Sequence, residues 1–118
     1  MAALSFALPW PPSLNRYYRV FRGRVLISRD GRRYRMMAVS RLGGTARLEG
    51  DLSLKVLLHP PDRRRRDADN PLKCLLDSLT HAGVWTDDSQ VKDIELHMLE
   101  PRPPDGEALV EITEKDNG

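Results

Sequence analysis

Residues 52–83 read LSLKVLLHPPDRRRRDADNPLKCLLDSLTHAG, and most of the fold can be inferred by extending from them. Leu52, Leu54, Val56 and Leu58 recur at the period of a strand, and Pro60-Pro61 ends it. After a loop, Asp69 or Asn70 as cap and Pro71 in the first turn signal a helix. Its apolar stripe, Leu72, Leu75, Leu76 and Leu79, has the i, i+3, i+4, i+7 spacing of a single helical face, with Gly83 following as a stop.

Towards the N-terminus, Leu4, Phe6 and Leu8 alternate as in a half-buried strand, and Pro9, Pro11 and Pro12 force an extended loop through Asn15. Segments 16–21 and 24–27 around Gly23 predict a hairpin. Ser28 is placed to cap a helix over Arg29–Leu42, with Tyr34, Met37, Ala38 and Leu42 inward and Gly43-Gly44 ending it. Towards the C-terminus, Ile94, Leu96 and Met98, then Ala108, Val110 and Ile112, predict two more strands around the turn at 103–106. The expectation is one α+β domain over 1–118: a mixed or antiparallel sheet of four to five strands packed against two helices.

A chain of 118 residues suits one core. Its formal net charge of +2 conceals a polarised sequence. Residues 1–66 hold fourteen Arg and one Lys against four acids, a formal +11, while residues 67–118 hold one Arg and three Lys against thirteen acids, −9. Arginine outnumbers lysine 15 to 4, and the guanidinium fork suits phosphate. The single cysteine, Cys74, rules out a disulfide framework and a cysteine-built zinc site and fits a reducing cytoplasm. The opening residues lack a basic start and run into Pro9-Trp10-Pro11-Pro12, so neither a signal peptide nor a membrane span is expected. Only the tail 115–118 reads as frayed.

Chemistry concentrates where Arg63, Arg64, Arg65 and Arg66 run into Asp67 and Asp69. Arginines attract phosphate and clustered carboxylates repel it, unless a divalent cation lies between them. At i, i+2 in extended backbone, Asp67 and Asp69 point to the same side, so both could face a single ion. Lys73 shares the helix face of Asp69, away from the leucine stripe. Asp87-Asp88 follow the helix, and an antiparallel return would bring them to its N-terminal end. Hard cations such as Mg²⁺ take oxygen ligands of this kind. Each element also has a plainer reading: Asp69 as a cap, Asp69–Lys73 as a surface ion pair, Asp87-Asp88 as a turn, Asp77 as solvated, and the arginines as a solvated or nucleic-acid-binding patch. Arg16, Tyr17 and Arg19 form either a base- or phosphate-contacting patch or hairpin packing. Trp10 and Trp85 read as core or interface residues. His59, His81 and His97 are dispersed without ligand spacing.

On three segments the chain resembles the RusA family of Holliday junction resolvases, small phage- and prophage-associated endonucleases. These segments are LPWPPSLNRYYR at 8–19, PDRRRRDADN at 61–70 and AGVWTDDSQV at 82–91. The resemblance implies a homodimer that cuts two opposing strands of a four-way DNA junction using Mg²⁺ or Mn²⁺, with no organic cofactor and no membrane association. It implies Asp67, Asp69 and Asp88, rather than Asp87, as the catalytic, metal-holding carboxylates. Lys73 becomes the essential cation, Asn70 a support of the metal site, and Arg66 a phosphate contact. It also implies 5′-phosphate and 3′-hydroxyl products. The rival expectation is a non-catalytic nucleic-acid-binding protein that uses its arginines on phosphates.

Overall fold

The computed structural model describes residues 3–115; Asp116–Gly118 of the tail expected to fray lie outside the described residues. The elements in order are strand β1 (Ala3–Pro9), a helical turn α1 (Leu14–Tyr17), β2 (Tyr18–Phe21), β3 (Arg24–Ile27), α2 (Arg29–Leu42), β4 (Leu52–His59), α3 (Asp69–His81), a 3₁₀ turn (Asp88–Gln90), β5 (Val91–Met98) and β6 (Glu107–Glu114). The main sheet has the order β1-β6-β4-β5, and β2-β3 form a separate ribbon. β6 runs antiparallel to both β1 and β4, while β5 runs parallel to β4. The fold is therefore α+β with a mixed four-stranded sheet, as expected.

Three features differ from expectation. Residues 14–17 form a helical turn rather than the start of the ribbon, with Tyr17 N–H bonded to Ser13 O at 2.8 Å. β5 and β6 are not neighbours: β4 lies between them, and β4–α3–β5 is a crossover unit. A parallel pair needs such a long connection, whereas a hairpin does not. Neither Asp69 nor Asn70 caps α3; Ala68 occupies the cap position and no side-chain cap bond is made.

The core lies on one face of the sheet. Leu52, Leu54, Val56 and Leu58 of β4, Ala108, Val110 and Ile112 of β6, and Leu8 of β1 pack with Tyr34 and Leu42 of α2 and Leu75 and Leu79 of α3. Each fully buried leucine contributes about 1.5–3 kcal/mol. Ser28 caps α2 by accepting the Gly31 N–H at 3.0 Å. Gly31 permits a close approach: a Cβ there would stand 2.5 Å from Tyr17 O and 2.9 Å from Ile27 Cγ2. The first turn of α2 is thus pressed onto the base of the ribbon.

Strand β5 is one of the two edge strands of the sheet, β1 being the other. Its partners Leu54↔Ile94, Val56↔Leu96 and Leu58↔Met98 put these side chains on the core face of the sheet. Yet Ile94 is 46% and Met98 38% exposed. No described helix is long and apolar enough to cross a membrane.

Candidate active site

The approach to α3 is organised by Asp62. Its carboxylate accepts the Arg64 N–H at 2.9 Å and pairs with Arg66 Nη1 at 2.8 Å and Arg64 Nη2 at 3.2 Å. The Arg66 hydrogen bond, followed by the Arg64 backbone, holds this carboxyl well below the usual carboxylate range. Arg66 also donates to Arg64 O at 3.1 Å, and its guanidinium lies 5.7 Å from the Trp10 ring centroid. Arg66 is therefore fixed from three sides, while Arg63, Arg64 and Arg65 are exposed.

This places much of the predicted DNA-binding set together. Arg16, Arg64, Arg65 and Arg66 line a single cleft of about 320 Å³ with Trp10, Pro11 and Ser13. A cavity of about 210 Å³ adjoins it, sharing Trp10, Pro11, Ser13 and Arg66 and adding Asp67, Asn70 and Pro71. Asn70 Oδ1 accepts the Leu14 N–H at 3.0 Å, tying the Pro-rich segment that carries Arg16 to the start of α3. Arg63 faces a different cleft, with Glu100 at 3.9 Å. Arg19 sits out on the ribbon, 5.6 Å from the Phe21 ring centroid.

Tyr17 requires a correction. It is fully buried rather than a surface contact for bases or phosphates. Its hydroxyl donates to Asp77 and accepts from Arg35 Nε at 2.8 Å. Arg35 Nη2 in turn stands 2.5 Å from Asp77 Oδ2. Burial first, then the Asp77 bond, pushes the Tyr17 phenol up to about 12. Asp77 is correspondingly not a solvated acid but the knot that joins α1, α2 and α3.

Asp67 and Asp69 flank the start of α3 and are exposed. Among the described residues neither carboxylate makes a hydrogen bond or ion pair, and Lys73, one turn further on, is likewise exposed and unpaired. Both plainer readings of Asp69, cap and surface ion pair, are thereby unsupported. The second acidic pair divides. Asp87 Oδ2 accepts the Ser89 N–H at 2.9 Å and caps the 3₁₀ turn, in a box closed by Gln90. The Ser89 side chain, and then its backbone N–H, hold the Asp87 carboxyl below its ordinary range. Asp88 is exposed and unpaired among the described residues.

Topology separates Asp88 from the other two. Val91 pairs with Leu52, and Leu48 N–H bonds Val84 O at 2.8 Å, so Asp88 lies at the end of the sheet where β4 begins. Asp67 and Asp69 lie beyond the end where β4 finishes, and α3 spans the gap. Its thirteen residues extend about 20 Å. Accordingly, no three His, Cys, Asp or Glu side chains among the described residues are grouped to hold a metal ion. The expected convergence does not occur within one chain, because a parallel β4–β5 pair returns the polypeptide to the starting end of β4 rather than to the start of α3. The donor chemistry still fits a hard divalent cation at the Asp67–Asp69 corner: unpaired carboxylate oxygens, open to solvent, beside arginines. Mg²⁺ commonly takes one or two carboxylates and fills its remaining positions with water and phosphate.

Sequence reasoning missed the organising roles of Asp62 and Trp10. Asp62 lies four residues before Arg66 and two before Arg64, a spacing that could have flagged it.

The arginine-walled cleft adjoins a cavity lined by Asp67, a surface whose chemistry suits a phosphodiester. The family profile described as Endodeoxyribonuclease RusA matches residues 9–113, and the chain belongs to that family. It is 46% identical to Crossover junction endodeoxyribonuclease RusA of Shigella sonnei (strain Ss046) and 45% identical to that of Escherichia coli (strain K12), each over 99% of both chains. The protein of the same name from Enterobacteria phage 82 is 42% identical, also over 99% of both chains.

Proposed function

We propose that this protein is a divalent-metal-dependent endodeoxyribonuclease that resolves Holliday junctions by paired strand cuts, acting as a homodimer in the cytoplasm of a phage- or prophage-bearing cell. Family membership, with relatives named for crossover junction cleavage, supports the reaction class. The observation that carries the site is that Asp67, Asp69 and Asp88 have no hydrogen-bond or ion-pair partner among the described residues, while the neighbouring Asp62, Asp77 and Asp87 are each engaged.

The roles follow from position. Arg16, Arg64 and Arg65 hold the backbone of a strand in the cleft, and Arg66, fixed by Asp62 and Trp10, presents a preorganised donor to one phosphate. Asp67 and Asp69 hold Mg²⁺ or Mn²⁺, with Asp88 as the third carboxylate. When bound, such an ion lowers the pKa of a water and offsets charge on the reacting phosphate. Lys73 adds positive charge on the same side of α3. Asn70 keeps the cleft wall attached to the carboxylate corner. No organic cofactor is needed.

The homodimer is supported by two features. Paired symmetric cuts call for two sites related by a two-fold axis. The free β5 edge, with Ile94 and Met98 uncovered, is also a surface that a second copy would bury. Antiparallel pairing of two β5 edges sets the beginning of one strand beside the end of the other. The partner's Asp88 would then approach the Asp67–Asp69 end, completing a trio that one chain leaves open.

A non-catalytic binder would also lack a three-carboxylate group, so cleavage must decide. A labelled junction incubated with and without Mg²⁺ should give paired products only with metal, and Asp69→Asn should bind the junction without cutting it. Equal cleavage by Asp69→Asn would remove the carboxylate from its role, and no cleavage by the parent protein would leave the binder.

A further inference from the structure

The ribbon β2-β3 is not accounted for by cleft or carboxylates. It stands apart from the main sheet, with pairs Tyr18↔Ile27, Arg19↔Leu26, Val20↔Val25 and Phe21↔Arg24. Its two-residue turn has positive φ at both positions, 52° at Arg22 and 73° at Gly23, the signature of a tight hairpin. Towards this tip apolar side chains face water: Val20 is 74%, Val25 67% and Phe21 50% exposed. Val20 and Val25 oppose each other on one face of the ribbon, with Phe21 on the other. The Phe21 ring is flanked by Arg19 and Arg22, whose guanidiniums lie 5.6 and 5.2 Å from its centroid.

An isolated two-stranded ribbon is marginal by itself, but the base of this one is clamped. Ser28 N–H bonds Tyr17 O at 2.9 Å, Gly31 of α2 abuts Tyr17 and Ile27, and Tyr17 is tied to Asp77 of α3. The tip is thus held at a fixed place relative to the helix that begins with Asp69. Charge selects the partner. Residues 1–48 contain ten arginines and a single acid, Asp30, which is already paired with Arg16. Apolar and aromatic groups ringed by arginine match flat base faces bordered by phosphates. A continuous duplex hides those faces in its stack, whereas the branch point of a junction is where unstacking costs least.

We propose that the ribbon tip is a wedge that enters the branch point of four-way junction DNA, placing Phe21 and the Val20/Val25 pair against unstacked bases while Arg19, Arg22 and Arg24 hold the flanking phosphates. This rests on the junction-cutting function proposed above and supplies its selectivity for junctions over duplex.

The test uses the full-length protein and a four-way junction carrying 2-aminopurine beside the branch point, bound without divalent metal, with a linear duplex of the same sequence as comparison. The parent should brighten the probe on binding the junction. Phe21→Ala, and separately Val20→Ser with Val25→Ser, should abolish the brightening and weaken junction binding roughly tenfold while duplex affinity stays within about twofold, as expected for loss of one base-stacking contact. Phe21→Trp should retain both effects. These positions are exposed, so the variants should melt with the parent. If the parent cuts junctions with Mg²⁺ but both variants brighten the probe and bind like it, the wedge is refuted and the function stands. A parent that does not cut junctions at all overturns the function, and the wedge with it. A variant that turns a dimer into a monomer makes the ribbon a contact between copies and also overturns the wedge.

Discussion

Replacing Asp77 with alanine tests whether one carboxylate locks the N-terminal segment that carries Tyr17 to α3. Asp77 Oδ2 receives Arg35 Nε at 3.0 Å, Arg35 Nη2 at 2.5 Å and the Tyr17 hydroxyl. Hydrogen bonds to a charged group contribute about 1.5–3 kcal/mol each when well enclosed. Here the side chains of Arg35 and Asp77 are 23% and 35% exposed, so water competes for part of that. Arg35 and Tyr17 would also keep their mutual bond of 2.8 Å. The net loss expected is about 2–3 kcal/mol, or a fall in Tm on the order of 10 °C for a domain of this size. Urea unfolding followed by tryptophan fluorescence measures it, since Trp85 is buried; protein concentration must be held fixed if the chain dimerises. Asp77→Asn, which keeps an acceptor without charge, should lose about half as much. A loss under about 0.5 kcal/mol for Asp77→Ala would match an ordinary surface change and refute the knot as a structural element.

Other outcomes follow from the same geometry. Asp87→Ala should lower Tm through loss of the turn cap and leave cleavage intact, whereas Asp88→Asn should do the reverse; a junction assay and a melt on each variant compare them. The Tyr17 phenol is pushed up to about 12 by burial and then by Asp77. Because an unfolded tyrosine ionises near pH 10, its contribution to stability should be complete below that pH and be lost as pH rises towards 12, which alkaline melts of the parent and Tyr17→Phe would detect. Arg64→Gln and Arg65→Gln should each reduce the slope of log binding constant against log salt by about one. Unchanged slopes would take those arginines off the DNA.

Local signals in the sequence reached far into the fold. Ser28 and Gly43 bound α2 as expected because a cap and a stop are decided by neighbouring residues. The alternation of Leu52, Leu54, Val56 and Leu58 marks β4 because one side of that strand alone is fully buried. What failed depended on distant partners. Asn70 looks like a helix cap, but the bond it makes is to Leu14, 56 residues away. Asp77 looks solvated on a helical wheel, yet its cation is Arg35 on another helix. Tyr17 sits between arginines in sequence while its hydroxyl is held by Arg35 of α2 and Asp77 of α3. In the candidate site, Asp67 and Asp69 stand out in the sequence because they lie two residues apart where the chain enters α3, but Ala68 between them is helical rather than the extended residue their shared direction presumed. The position of Asp88 was not, since it depends on β5 pairing parallel to β4.

The most direct measurement mixes two inactive subunits. A dimer built from one Asp69→Asn chain and one Asp88→Asn chain, isolated through different affinity tags, is supplied with a labelled junction and Mg²⁺. If the carboxylates combine across two copies, one of its two sites carries both lesions and the other is intact, so one strand of the junction is nicked without paired resolution. If no nick appears although the mixed dimer binds the junction, each site draws its three carboxylates from a single chain, or from other residues, and the shared site between copies does not exist.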